Sequence, residues 1–64
     1  MKYTLFVFNC ESPKGMIEQE MISTSEENAR RESIYVLNSL HNFHPRKLTL
    51  LRSEPWEPPT LAFD

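Results

Sequence analysis

The sequence is short of the residues on which several protein classes depend. Among its 64 residues there is one cysteine, Cys10, and one glycine, Gly15. A single cysteine cannot form an internal disulfide, so a disulfide-stapled secreted module is excluded. Phosphate-cradling loops need several glycines, so a nucleotide site of that kind is excluded as well.

Long apolar runs are also missing. The run that follows Lys2 ends at Phe8, which is too short for a signal peptide, and no stretch approaches the roughly 20 residues of a transmembrane helix. The formal net charge of −2 is too small for a mimic of DNA and has the wrong sign for a general phosphate-backbone binder. We therefore expect a cytoplasmic protein with no membrane contact.

The apolar pattern predicts three strands. Residues 2–9 are aromatic and β-branched with no breaker, and residues 16–22 alternate imperfectly after a turn at 10–15. Residues 46–53 alternate again. The first strand is apolar on both faces, which is typical of a strand in the middle of a sheet.

A helix is predicted between the second and third strands, over residues 25–41. Thr24 as N-cap and Glu27 three residues later form a capping box, and Pro45 prevents continuation. One helical face is spaced as i, i+4, i+7, i+8 and i+11, which is the pattern of a buried stripe. Its members are Ala29, Ser33, Val36, Leu37 and Leu40.

The order strand, strand, helix, strand predicts one α+β domain of ββαβ type over residues 1–53. A right-handed crossover makes the second and third strands parallel, so the first can pair antiparallel with both in the spatial order 2-1-3. The helix then covers one face of a three-stranded antiparallel sheet. Tyr3, Leu5 and Val7 share one face of the first strand.

The other face of the first strand, with Phe6 and Phe8, is expected to lack a helix to cover it. Residues 54–64 read as a proline-rich C-terminal tail with polyproline character. Its apolar side chains, Trp56, Leu61 and Phe63, either fold back over that face or contact a partner or a second copy.

Catalysis, a metal and a cofactor are not expected. His41 and His44 lie three residues apart, but a zinc site needs four ligands, and the chain lacks a second cysteine or histidine pair. Histidines in a loop after a helix are favoured there by the helix dipole alone. Cys10 is predicted to be a structural thiol rather than a nucleophile.

Direct nucleic-acid binding is the alternative function. Arg30, Arg31, Arg46 and Lys47 would supply the phosphate contacts. Two of the four have a structural explanation, because Glu26 precedes Arg30, and Glu27 precedes Arg31, by one helical turn.

Protein binding is the leading hypothesis. Ile34 and Tyr35 lie away from the predicted buried stripe, and Trp56 is an aromatic side chain that the core does not need. Glu18 and Glu20, on the edge strand, are expected to meet a basic patch on the partner and to accelerate association. These five residues form the predicted partner-binding set, and a homodimer is a further possibility.

Residues 21–29, with the sequence MISTSEENA, lead through a short helix into residues 45–52, PRKLTLLR. This arrangement resembles small bacteriophage-encoded proteins that disable host machinery, namely the bacterial RNA polymerase inhibitor of T7-like phages and small anti-CRISPR proteins. The resemblance covers about half of the chain and transfers no functional residue. It implies a non-enzymatic inhibitor of a larger bacterial host complex.

Overall fold

The computed structural model describes residues 2–58. The elements are β1 (Tyr3–Ser12), β2 (Gly15–Ser23), α1 (Glu26–Leu40) and β3 (Lys47–Trp56). The sheet has the order β2-β1-β3, and β1 pairs antiparallel with both neighbours. The predicted α+β fold of ββαβ type, with strand order 2-1-3, is confirmed. Within residues 2–58, α1 is neither long nor apolar enough to cross a membrane.

The β1–β2 hairpin is longer than predicted, because its turn has only two residues between Ser12 and Gly15. Gly15 has a φ of 133°, a conformation that side-chain-bearing residues rarely adopt. The Lys14 amide donates a hydrogen bond to the Ser12 hydroxyl at 3.1 Å. The one glycine of the chain is thus placed where the hairpin requires it.

The helix begins one residue later than predicted. Ser25, not Thr24, is the N-cap, with an extended backbone and its hydroxyl accepting from the Asn28 amide at 3.2 Å. The predicted capping box with Glu27 is therefore wrong. Because β2 continues to Ser23, Thr24 lies in the link between strand and helix, and Ser25 is the residue whose hydroxyl reaches the third amide.

The core forms between α1 and the face of β1 that carries Phe6 and Phe8. These two rings and Cys10 cluster with Ala29 and Leu37. The expectation that this face lacks a covering helix is wrong. The Ala29 side chain is small, so the backbone of α1 can approach the Phe6 and Phe8 rings closely.

The other end of the helix also departs from the prediction. Leu40 was expected in the core but is 75% exposed. Asn42 adopts a left-handed conformation, with a φ of 49°, and the chain turns so that the Phe43 amide donates to the Leu37 carbonyl at 2.9 Å. Phe43 packs against the core at this end.

Strand β3 continues to Trp56, three residues beyond its predicted end. Pro55 fits because β3 is an edge strand, where a missing amide donor is tolerated. A bulge lies opposite Val7 and Phe8, which pair with Arg52 and Leu50 and leave one extra residue between them. The predicted roles of Leu61 and Phe63 lie outside the described residues.

Candidate protein-binding surfaces

Two surfaces on opposite sides of the sheet combine apolar side chains with exposed charged groups. The first, which we call the helix groove, runs between α1 and β2 and is lined by Met21, Arg31, Glu32, Tyr35 and Val36. The second, which we call the open sheet face, is the side of the sheet that α1 does not cover.

The helix groove has a volume of about 400 Å³. Met21 pairs with Phe6 across the strands and so points to the helix side of β2, where it forms the apolar floor. Tyr35 is 71% exposed and forms one wall. Arg31 and Glu32 place opposite charges along the rim, and Arg31 also bonds Glu27 at 3.3 Å.

Ile34 does not share this groove with Tyr35. Successive residues of a helix point about 100° apart, and Ile34 lies one turn after Arg30, whose guanidinium reaches the Leu48 carbonyl of β3. Ile34 therefore lies on the β3 flank of the helix, where it is 40% exposed, whereas Tyr35 lies on the β2 flank.

The open sheet face carries an apolar centre. Leu5 pairs with Ile22 of β2, and Val7, in the next row, is only 1% exposed although the helix lies on the other side of the sheet. At one end Tyr3 and Trp56 pack edge to face, with ring centroids 6.3 Å apart. This is the side that was predicted, wrongly, to be under the helix.

Three of the predicted partner residues lie on the open sheet face. Glu18 pairs with Asn9 and Glu20 with Val7, which places both carboxylates on this side of β2, and Trp56 ends β3 on the same side. The structure thus divides the predicted set among three places. Tyr35 lines the helix groove, Ile34 lies on the opposite flank, and the other three lie on the open sheet face.

The helix arginines are held by the fold. Arg30 bonds Glu26 at 2.9 Å, donates to the Leu48 carbonyl at 2.8 Å, and lies 5.2 Å from the centroid of the Phe8 ring. Both predicted one-turn ion pairs, from Glu26 to Arg30 and from Glu27 to Arg31, are confirmed. Arg30 therefore has hydrogen bonds and a ring contact that a phosphate would have to replace.

The remaining basic candidates lie at the hairpin end of the molecule. Arg46 lines a cavity of about 220 Å³ together with Lys14 and His44. Lys47 begins β3 opposite Glu11. The four residues of the nucleic-acid hypothesis therefore do not form one surface, since Arg31 lines the helix groove and Lys47 lies on the open side of the sheet.

One histidine and the cysteine have contacts within the fold. The His44 ring nitrogen Nδ1 lies 2.8 Å from the Asn38 side-chain oxygen. Cys10 is fully buried, and burial raises the pKa of its thiol above the ordinary value of 9.0. Across residues 2–58, no three His, Cys, Asp or Glu side chains lie together in an arrangement that could hold a metal.

One contributor to the open sheet face, Arg52, was missed from the sequence. Leu51 is the extra residue of the β3 bulge and is 49% exposed, pointing away from its half-buried neighbour Leu50. Arg52 then falls opposite Val7. Strict alternation would have given these two residues opposite faces, and no signal in the sequence marks the bulge.

Comparison of the chain with protein-family profiles, with curated proteins and with solved structures finds no match in any of the three.

Proposed function

We propose that the protein is a non-catalytic interaction module that binds a bacterial host complex in the cytoplasm and inhibits or adapts it. The observation that carries the proposal is the helix groove. It combines an apolar floor at Met21, a highly exposed aromatic wall at Tyr35 and a rim of opposite charges at Arg31 and Glu32. This composition matches the centre of a protein interface, where an aromatic anchor is surrounded by polar groups.

The mechanism is occlusion. An apolar side chain of the partner would enter the groove against Met21 and the Tyr35 ring, while Arg31 and Glu32 fix its orientation through complementary charges. The groove is built on a strand and a helix that share the core, so it is held in place before binding and little ordering is needed. A partner covered in this way loses access to its own substrate.

The class of partner comes from the resemblance described under Sequence analysis. Small phage-encoded proteins of that kind act on large bacterial complexes, and we expect this chain to act on such a target by covering a site rather than by catalysis. Phage origin and inhibition of a host complex, including an anti-CRISPR role, belong to this proposal.

The experiment compares two truncations on the same helix. Tyr35→Ala removes the groove wall, and Leu40→Ala removes a side chain of similar exposure, 75%, that does not line the groove. Affinity capture from nuclease-treated bacterial lysate should retain one stoichiometric protein with the wild-type chain and with Leu40→Ala. Tyr35→Ala should not retain it, because removal of an anchoring side chain weakens the binding free energy by at least about 2 kcal/mol.

Two results would overturn the proposal. If Tyr35→Ala and Leu40→Ala retain the partner equally, the groove is not the interface. If nuclease removes every captured protein, the chain binds nucleic acid. Steep log-linear weakening with salt, and loss on charge reversal of Arg46 and Lys47, would then identify phosphate contacts.

A further inference from the structure

Two opposite charges on the open sheet face stand on either side of its central strand. In the row centred on Val7, Glu20 of β2 stands on one side and Arg52 of β3 on the other. Both side chains are exposed. In the part of the chain that the structure describes, neither has an ion-pair partner, although both helix arginines do.

A two-fold axis along β1 makes this row complementary to itself. Rotation by 180° about that axis turns the open face of a second copy toward the first and exchanges the positions of β2 and β3. Glu20 then faces Arg52 of the second copy, and Arg52 faces its Glu20. Val7 lies on the axis but is only 1% exposed, so the apolar contact on the axis is made by Leu5, which faces its own equivalent in the next row.

We propose that a second copy of this chain docks on the open sheet face, in a parallel arrangement joined by two Glu20–Arg52 ion pairs. The two sheets pack face to face, as in a β-sandwich, about 10 Å apart and within about 30° of alignment. Leu5 and Ile22, which keep accessible surface in the single chain, supply the apolar contact. The prediction that Glu20 meets a basic group is thereby given a specific partner, the arginine of the other copy.

The size of the face limits the area that a second copy can bury. The paired rows run from Tyr3 to Glu11 on β1. With strands about 4.8 Å apart and a rise of about 3.4 Å per residue, the face measures roughly 14 by 30 Å. Two copies would therefore bury less than about 1,000 Å² in total, which is at the small end of specific interfaces and is typical of weak, reversible association.

This inference is separate from the proposed function. The helix groove and the open sheet face lie on opposite sides of the sheet, so a dimer leaves both grooves free. Failure of one proposal does not entail failure of the other.

Charge reversal provides the test. Glu20→Arg puts like charges opposite each other in both pairs of a dimer, and so does Arg52→Glu. Each should weaken self-association by at least about tenfold, measured by sedimentation equilibrium from about 10 µM to about 1 mM. Circular dichroism verifies that each variant retains the wild-type fold.

Mixing the two variants gives the decisive result. Every pair becomes complementary in a mixed dimer, because one chain is positive at both positions and the other is negative at both. We expect an equimolar mixture of Glu20→Arg and Arg52→Glu to form a mixed dimer, and the doubly substituted chain to recover wild-type self-association.

The matched control is Glu54→Arg, the same reversal on the same face. In the proposed arrangement Glu54 lies opposite Ile22 of the second copy, so this variant should self-associate within about threefold of the wild type. A wild-type monomer at every concentration overturns the proposal and leaves the face to residues 59–64 or to another protein. The proposal is also overturned if Glu54→Arg, rather than Glu20→Arg, restores the self-association of Arg52→Glu. In that case Arg52 faces Glu54 of the second copy, which requires an antiparallel arrangement.

Discussion

At the scale of single residues, Ser33 is the clearest weak point of the core. It is fully buried, and its hydroxyl has no hydrogen-bond partner within the described residues. A buried polar group without a partner costs about 1–3 kcal/mol. The sequence placed Ser33 correctly on the buried stripe but gave no sign that its hydroxyl would be left unpaired.

We expect Ser33→Ala to stabilise the protein by about 1 kcal/mol or more, because it removes the unpaired hydroxyl. Ser39→Ala, at an exposed position of the same helix, is the control for the higher helix propensity of alanine, worth a few tenths of a kcal/mol. Urea unfolding of the two variants separates the contributions. Equal gains in both would show that burial of the Ser33 hydroxyl costs nothing.

Cys10 links stability to alkaline pH. Its pKa is raised in the folded state by burial, so the unfolded chain releases the thiol proton at lower pH than the native one. The stabilising effect is complete below the ordinary value of 9.0 and is lost as the pH rises through the raised native pKa.

The free energy of unfolding of the wild type should therefore fall more steeply above about pH 9 than that of Cys10→Ala, which lacks the thiol. Urea unfolding at intervals from about pH 7 to about pH 10.5 gives both curves. Subtracting one curve from the other removes the contribution of the lysines and tyrosines, which the two chains share. Parallel curves through this range would contradict a desolvated thiol.

At the scale of elements, the start of α1 tests the N-cap assignment. Ser25→Ala removes the hydroxyl that accepts from the Asn28 amide and should cost about 1 kcal/mol. Thr24→Ala, one residue earlier, should change the free energy of unfolding by less than about 0.5 kcal/mol. Thermal unfolding of both variants compares them. A larger cost at Thr24 would restore the capping box predicted from the sequence.

The elements and their order could be predicted because they depend on local periodicity. Alternation in β1 and the apolar stripe of α1 specify a strand and a helix, and the crossover rule then leaves one simple sheet order. The boundaries were missed where contacts distant in sequence decide them. Pairing with Tyr3 and Thr4 carries β3 through Pro55 to Trp56, and nothing within residues 54–56 indicates this.

Which face of the sheet meets the helix could not be read from β1 either. Both of its faces are apolar, so the choice depends on fit: Phe6 and Phe8 fill the space that Ala29 leaves, and the Val7 side stays open. The candidate surfaces depend on that choice. Tyr35 was selected correctly as an exposed aromatic, but its position beside Met21 follows only from how α1 lies over β2.

At the scale of the whole molecule, the sheet separates two surfaces with different chemistry. The helix groove is small and edged by opposite charges, which suits a single side chain or short segment of a partner. The open sheet face is broad, apolar at its centre and self-complementary at Glu20 and Arg52. A dimer built on the second surface would present two copies of the first, each free to bind a partner by itself.

The central claim is that the helix groove is the partner-binding surface, and capture from nuclease-treated bacterial lysate with three chains tests it most directly. The chains are the wild type, Tyr35→Ala, and Arg52→Glu, which changes the opposite side of the sheet. The account predicts that the wild type and Arg52→Glu retain the same protein and that Tyr35→Ala loses it. Retention by Tyr35→Ala together with loss by Arg52→Glu would contradict it and assign partner binding to the open sheet face.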